Sequence, residues 1–232
     1  MLSVEKNRIE NIIDNIDTFI FEDTKYLNNY ELSIYNQTYQ HWYRVWNDLL
    51  RSSSDSILTS DNFLRQSKVC SLVYNNQVIG MIAASFFDLN IEAYKDHSYL
   101  LPFKSIDLNR IRSETNSLIM SIEYVSVEPV FRKKDLGISI GTLLLGLSMK
   151  VFDESNAVAV LGTARNQMHV DEMCFNYGFK PIGQISKYGH PCTLILNNKE
   201  QLKNHDNHLI FESVNRLWTK RNKKQQQPLF AA

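Results

Sequence analysis

Cysteine is scarce in this chain: three residues in 232, Cys70, Cys174 and Cys192, with no Cys-x-x-Cys spacing among them. An odd number of scattered thiols builds no disulfide scaffold and fits a reducing, cytoplasmic setting. Metal-ligand patterns are equally thin. The nearest cluster, His169, Glu172 and Cys174, spreads around a helix instead of lining one side, so no metal is expected. Net charge is missing too, since 25 Lys and Arg cancel 25 Asp and Glu. No overall field therefore recruits nucleic acid or an anionic membrane. The longest apolar stretches, residues 78–87 and 137–147, are interrupted by Gly or Ser and fall short of the roughly 18 residues that span a bilayer. Residues 1–20 alternate charge with apolar positions, unlike a secretory signal. There are no internal repeats.

What is present reads as a globular domain. Hydrophobic residues make up 44% and charged residues 22%, and the length suits one large domain or one domain with appended helices. Residues 4–21 carry Ile9, Ile12, Ile13, Ile16, Phe19 and Ile20 at three- and four-residue spacing, which predicts an amphipathic helix. Residues 35–51 form a second, with Trp42, Val45, Trp46, Leu49 and Leu50 on one stripe. That stripe is either core packing or one wall of a cleft for an acyl chain or acceptor. Residues 52–56 then break the pattern as a polar loop. Residues 69–74 and 77–88 predict a hairpin around Asn75-Asn76, and residues 118–127 a strand that Pro129 ends. A short helix is expected near residues 106–112. The low charge of residues 137–152 predicts a buried helix. A strand at 157–161, a helix at 166–177 closed by Gly178, strands at 179–187 and 193–196, and a helix at 200–218 complete a mixed α/β order around one sheet. Residues 219–227 form a basic, glutamine-rich tail.

The informative stretch runs Ile122-Glu123-Tyr124-Val125-Ser126-Val127-Glu128-Pro129-Val130-Phe131-Arg132-Lys133-Lys134-Asp135-Leu136-Gly137. A strand enters a basic loop, and the loop opens an apolar helix. Free amides at a helix N-terminus beside Arg and Lys make an anion site suited to a pyrophosphate. An ordinary βα turn with solvated cations is the alternative. The stretch resembles the GNAT superfamily of N-acyltransferases, whose loop reads Arg/Gln-x-x-Gly-x-Gly/Ala after a Val-x-Pro strand end. Val127-Glu128-Pro129, Arg132 and Gly137 match that pattern, and Asp135 replaces its first glycine. Downstream, Ala164-Arg165-Asn166 and Tyr177-Gly178-Phe179 match the superfamily's later strand–helix–strand. The resemblance covers about residues 67–197.

It implies a GNAT fold, a mixed central sheet flanked by helices; the extra N-terminal helices, read from periodicity, lie outside the match. Residues 1–66 would pack on the core as a helical segment, 67–218 would form the acyltransferase domain, and 219–232 the tail. It implies acyl-CoA, acetyl-CoA above all, as co-substrate and a small-molecule or peptide amine as acceptor. Val125 and Val127 would hold pantetheine, and Arg132, Lys133, Lys134, Asp135, Leu136, Gly137 and Ile138 the pyrophosphate, with Asn166 also on the donor. Glu123 would be the general base. On a regular strand its side chain shares a face with that of Val127, four residues on. Cys174 stands where the superfamily often places an acidic Tyr; His190, in the turn Tyr188-Gly189-His190-Pro191, is an alternative base. A second implied reading is an N-acyl amino acid synthase-like enzyme taking its acyl group from acyl carrier protein. A third is a non-catalytic, GNAT-shaped binding or regulatory module. Asp135→Gly is expected to tighten CoA binding in calorimetric titration by about 1 kcal/mol, the order of one screened nearby charge. Unchanged affinity would mean that the carboxylate points away from the phosphates.

Overall fold

The computed structural model describes residues 2–51, 58–103, 108, 117–132 and 137–222. The helices are α1 (Leu2–Asp14), α2 (Asn29–Leu50), α3 (Ser60–Leu64), α4 (Ile140–Glu154), α5 (Val170–Phe175) and α6 (His208–Thr219). The strands are β1 (Ile16–Phe21), β2 (Lys68–Tyr74), β3 (Gln77–Asp88), β4 (Leu118–Val127), β5 (Ala159–Arg165), β6 (Lys180–Lys187) and β7 (His190–Asn198). They form one seven-stranded sheet in the order β1-β2-β3-β4-β5-β7-β6. Pairing is antiparallel except between β4 and β5.

The largest departure from expectation lies at the N-terminus. The helix stops at Asp14, where the Asn15 side chain donates back to the Asn11 carbonyl at 2.8 Å. Ile16-Asp17-Thr18-Phe19-Ile20-Phe21 instead pairs with β2. Ile16 and Ile20 enter the core under α4, while Phe19 and Phe21 enter the core under α2. A strand with apolar residues on both faces mimics helical spacing over so short a run, and its β-branched and aromatic composition suits the strand. The outer edge of β1 is covered by Asn222. Its Oδ1 accepts from the Ile20 N–H at 2.8 Å, and its own N–H donates to the Thr18 carbonyl at 2.8 Å.

Other elements sit close to expectation. The β2–β3 hairpin turns at Asn75 (φ 49°) and Asn76 (φ 59°), the left-handed pair that a tight hairpin demands. The β6–β7 hairpin does the same at Tyr188 and Gly189, so β7 begins at His190. Helix α2 starts earlier than the apolar stripe suggests, because Asn28 caps it reciprocally with Glu31. Helix α4 starts three residues after Gly137, which sits at φ 71°; Ser139 is the cap, accepting from the Thr142 N–H. The final helix begins at His208 behind the cap Asn207, not at residue 200, where only a short 3-10 turn occurs. The helix expected near residues 106–112 and the tail beyond residue 222 lie outside the described residues.

Helices α1, α4 and α6 cover one sheet face; α2 and the segment around Tyr99, Leu100 and Phe103 cover the other. Almost every side chain of α4 from Ile140 to Phe152 is buried, which is why that segment carries so little charge. At Gly146 an added Cβ would lie 2.5 Å from both the Tyr177 hydroxyl and a Val214 methyl. Gly146→Ala therefore forces α4 away from α6. Overpacking of about 1–3 kcal/mol, less about 1 kcal/mol of helix propensity, leaves an expected net loss of up to about 2 kcal/mol in urea unfolding; a stabilised variant would refute this packing.

Candidate active site

Strands β4 and β5 pair only from Ile119↔Ala159 to Ile122↔Gly162. Beyond that point β4 continues to Val127 and β5 to Arg165 without pairing to each other. The Tyr99 hydroxyl sits at the fork, donating to the carbonyls of Ile122 (2.9 Å) and Leu161 (3.3 Å). Burial pushes the Tyr99 phenol well above its ordinary pKa, so it stays a donor.

A bulge shapes the free part of β4. Ala83 pairs with Glu123 but Met81 with Ser126, so β4 carries an extra residue there, and Tyr124 stands at φ 57°. The Trp42 and Trp46 rings meet the Tyr124 ring edge-on, at centroid distances of 5.5 and 5.1 Å, and hold this uncommon backbone conformation. The bulge overturns the shared face expected for Glu123 and Val127. Glu123 faces the α2 side with Ser126, while Val125 and Val127 face the α4 side. The Glu128 N–H donates to the Ile79 carbonyl at 2.9 Å; strand alternation then turns the Val127 N–H outward to the open edge.

The fork opens into a cavity of about 580 Å³. Its walls are Val45, Trp46 and Leu49 of α2, residues 122–127 of β4, Ser139, Ile140 and Gly141 at the start of α4, residues 162–165 of β5, and Met173 and Cys174 of α5. The aromatic stripe of α2 is thus divided: Trp42 is core, at 0% exposure, whereas Val45, Trp46 and Leu49 form a cleft wall. Trp46 Nε1, Thr163 Oγ1 and Arg165 Nε, all on lining residues, have no hydrogen-bond partner among the described residues. Buried polar atoms are rarely left so.

The expected site residues divide as well. Glu123 is 7% exposed; one oxygen accepts from Ser121 Oγ at 2.9 Å and the other pairs with Arg65 at 3.2 Å. Lys187 lies on the same side, over the rings of Tyr99 (5.4 Å) and Tyr188 (5.5 Å), and burial lowers its pKa. Val125, Val127 and Arg132 line the cavity, and Arg132 Nε donates to the Val127 carbonyl at 2.7 Å. Cys174 lines it too, its thiol pushed up by burial and then by Asp171. Gly137, Ile138 and Asn166 are not in the wall: Ile138 packs in the core and the Asn166 side chain accepts from Thr193 Oγ1 at 3.2 Å. His190 begins β7, away from the cavity. Lys133, Lys134, Asp135 and Leu136 lie outside the described residues.

One group at the site had no sequence signal. His41 of α2 is buried, with Nδ1 2.9 Å from Glu128 Oε1 and Nε2 3.0 Å from Ser126 Oγ. Arg44, one turn on, also pairs with Glu128. These residues are about 85 positions apart in sequence, and only the docking of α2 across β3 and β4 joins them.

A mixed sheet whose parallel pair diverges over a cavity, with the apolar helix α4 starting beside it, is the GNAT fold. No protein-family model matches the chain. No curated protein matches it either. Among solved structures it is similar to FeeM, an N-acyl amino acid synthase from uncultured soil microbes, at 14% identity and a TM-score of 0.51, covering 80% of this chain and 92% of that one. It is similar to a polyamine N-acetyltransferase of Drosophila melanogaster at 11% identity and a TM-score of 0.53, covering 78% and 100%. An acyl-CoA N-acyltransferase from Pseudomonas aeruginosa gives 11%, 0.51, and 78% and 99% coverage.

Tyr99→Phe keeps the ring but removes the donor that closes the fork. Stability in urea is expected to fall by about 1–2 kcal/mol, the cost of one buried hydrogen bond with its acceptors left short. A variant as stable as the parent would show that the fork stands without the hydroxyl.

Proposed function

We propose that this chain is an N-acyltransferase, in which an acyl thioester lies in the β4–β5 fork and an amine attacks its carbonyl carbon directly. The fork carries the reading: two strands that part, a Val127 N–H turned by strand alternation to the open edge, and polar atoms of Trp46, Thr163 and Arg165 without a partner among the described residues. A pantetheine arm supplies amide donors and acceptors in the right form to meet such groups. Ser139, Ile140 and Gly141 at the start of α4 line the same cavity, and a helix N-terminus favours phosphate. Val45, Trp46, Leu49 and Met173 give the acyl group an apolar wall. FeeM and the polyamine N-acetyltransferase, by their names, both attach acyl groups to amines.

In the transfer a C–N bond forms, the C–S bond breaks, and the amine loses a proton. Glu123 is our candidate to receive it. Both its oxygens are already engaged, by Ser121 and Arg65, so a water between amine and carboxylate is the economical route. Cys174 keeps its thiol protonated beside the cleft, and its raised pKa makes it a reluctant donor to the leaving thiolate.

A second reading, an N-acyl amino acid synthase-like enzyme with a carrier-protein donor, draws on two observations. Asp135 replaces the loop glycine that a pyrophosphate favours. Lys187, mostly withdrawn from water, has no carboxylate paired to it among the described residues, and it lies with Arg65 on the Glu123 side. An acceptor with its own carboxylate would meet both cations there.

A thermal-shift panel of CoA, acetyl-CoA, longer acyl-CoAs and acyl carrier protein separates the donors, because a ligand bound only by the native state raises its melting temperature. Absence of any shift at millimolar concentration would end the donor reading. With the donor known, Glu123→Gln is expected to lower turnover about a hundredfold with donor binding unchanged, the loss shrinking at high pH as free amine becomes plentiful. Cys174→Ala should cost less. Full turnover in Glu123→Gln at neutral pH would remove the carboxylate from the mechanism.

A further inference from the structure

The hydrogen-bonded row Ser126–His41–Glu128 is not needed for direct attack by an amine, yet its first member lines the thioester cavity. Its polarity is fixed by chemistry. Burial pushes the Glu128 carboxyl up, but the hydrogen bonds from His41 and Arg44 outweigh this and hold it below its ordinary range. An ionised carboxylate only accepts, so His41 Nδ1–H must donate to it. Burial also lowers the His41 pKa, keeping the ring neutral. With Nδ1 protonated, Nε2 carries the lone pair, and the Ser126 hydroxyl must donate to it across 3.0 Å. A hydroxyl bonded to a base, and a base oriented by a carboxylate, is the arrangement that activates a serine for acyl transfer. His41 and Ser126 are buried and the Glu128 side chain is 17% exposed, so the row is largely withdrawn from water, where its hydrogen bonds are strengthened.

We propose that Ser126 is an acyl acceptor, so that the chain carries a serine-based thioesterase or acyl-enzyme activity in the same cavity. The inference rests on a thioester occupying that cavity. Ser126 Oγ attacks the thioester carbonyl while His41 Nε2 takes its proton; the C–S bond breaks, and the imidazolium returns the proton to the departing thiolate. The product is an ester on Ser126 and a free thiol. Water or an amine then attacks the ester, giving the free acid or the amide and restoring the serine. The Val127 N–H, adjacent in the chain and turned to the open edge, is placed to hold the carbonyl oxygen.

The test uses the full chain with acetyl-, octanoyl- and palmitoyl-CoA and with acyl carrier protein bearing the same groups, and no amine. Free thiol release is followed with a chromogenic thiol reagent, and acid-quenched samples are read by intact-mass spectrometry. Thiol release that needs Ser126 is expected. Ser126→Ala should abolish it and His41→Gln should slow it about a hundredfold, with donor-induced thermal shifts retained in both. Ser126→Cys, which keeps a nucleophile in place, is expected to accumulate an acyl adduct that neutral hydroxylamine removes. A serine that merely bridges to His41 would yield no such adduct. If the parent binds a donor but shows no thiol release that Ser126→Ala removes, the serine activity is overturned and the direct-transfer reading stands. If no donor binds, both fall together.

Discussion

Everything at this site follows from one failure of pairing: β4 and β5 share a ladder as far as Ile122 and Gly162, then part. A parallel pair that separates inside a protein leaves backbone groups facing a gap, and such groups are costly unless something satisfies them. At the closed end of the gap Tyr99 does so with its hydroxyl. Further along, the bulge at Tyr124 keeps β4 bonded to β3 while its other edge stays free. The bulge in turn leans on Trp42 and Trp46 of α2. The aromatic helix, the irregular strand and the cavity are therefore one mechanical unit.

The same unit sorts chemistry by face. Without the extra residue, Glu123 and Val127 would point the same way, and the α4 side of the sheet would also carry the carboxylate. With it, Glu123 and Ser126 turn to the α2 side and the valines to the α4 side. Polar and apolar groups are thereby presented from opposite faces of one strand edge. Helix α2 contributes to both, through its apolar residues to the cavity wall and through His41 and Arg44 to the end of β4.

Much of this could be read from residue order because local rules agree with the fold over most of its length. Asn75-Asn76 demanded a hairpin turn, residues 118–127 a strand, and the uncharged run after Gly137 a buried helix, and each is there. Failures came where pattern and context disagree. Residues 16–21 have apolar side chains on both faces because they lie between two helical layers, and periodicity cannot distinguish that from a helix. The bulge left no mark in the sequence, since a tyrosine in a left-handed conformation is held by distant tryptophans and not by its own propensity. His41 and Tyr99 reach the site from segments with no motif of their own. Gly137 fits the loop motif and Ile138 follows it, yet neither lines the cavity wall, where α4 starts behind its cap Ser139; Asn166, from the later strand–helix junction, bonds to Thr193 instead.

The cover over β1 carries a consequence for how the molecule is made. Asn222 imitates a peptide unit on the outer edge of that strand, and Lys220 caps the end of α1 through the carbonyls of Ile13 and Asp14 at 2.6 and 2.9 Å. These bonds join positions more than 200 residues apart. During synthesis on the ribosome, β1 and α1 emerge about 200 residues before Lys220 and Asn222 and wait that long for these partners. Until then the strand presents an open row of amides and carbonyls, the surface that nascent chains most need shielded from one another. A long-range closure of this kind leaves a segment secured only well after it is made, and it ties the rate of maturation to the slow search for contacts of high sequence separation.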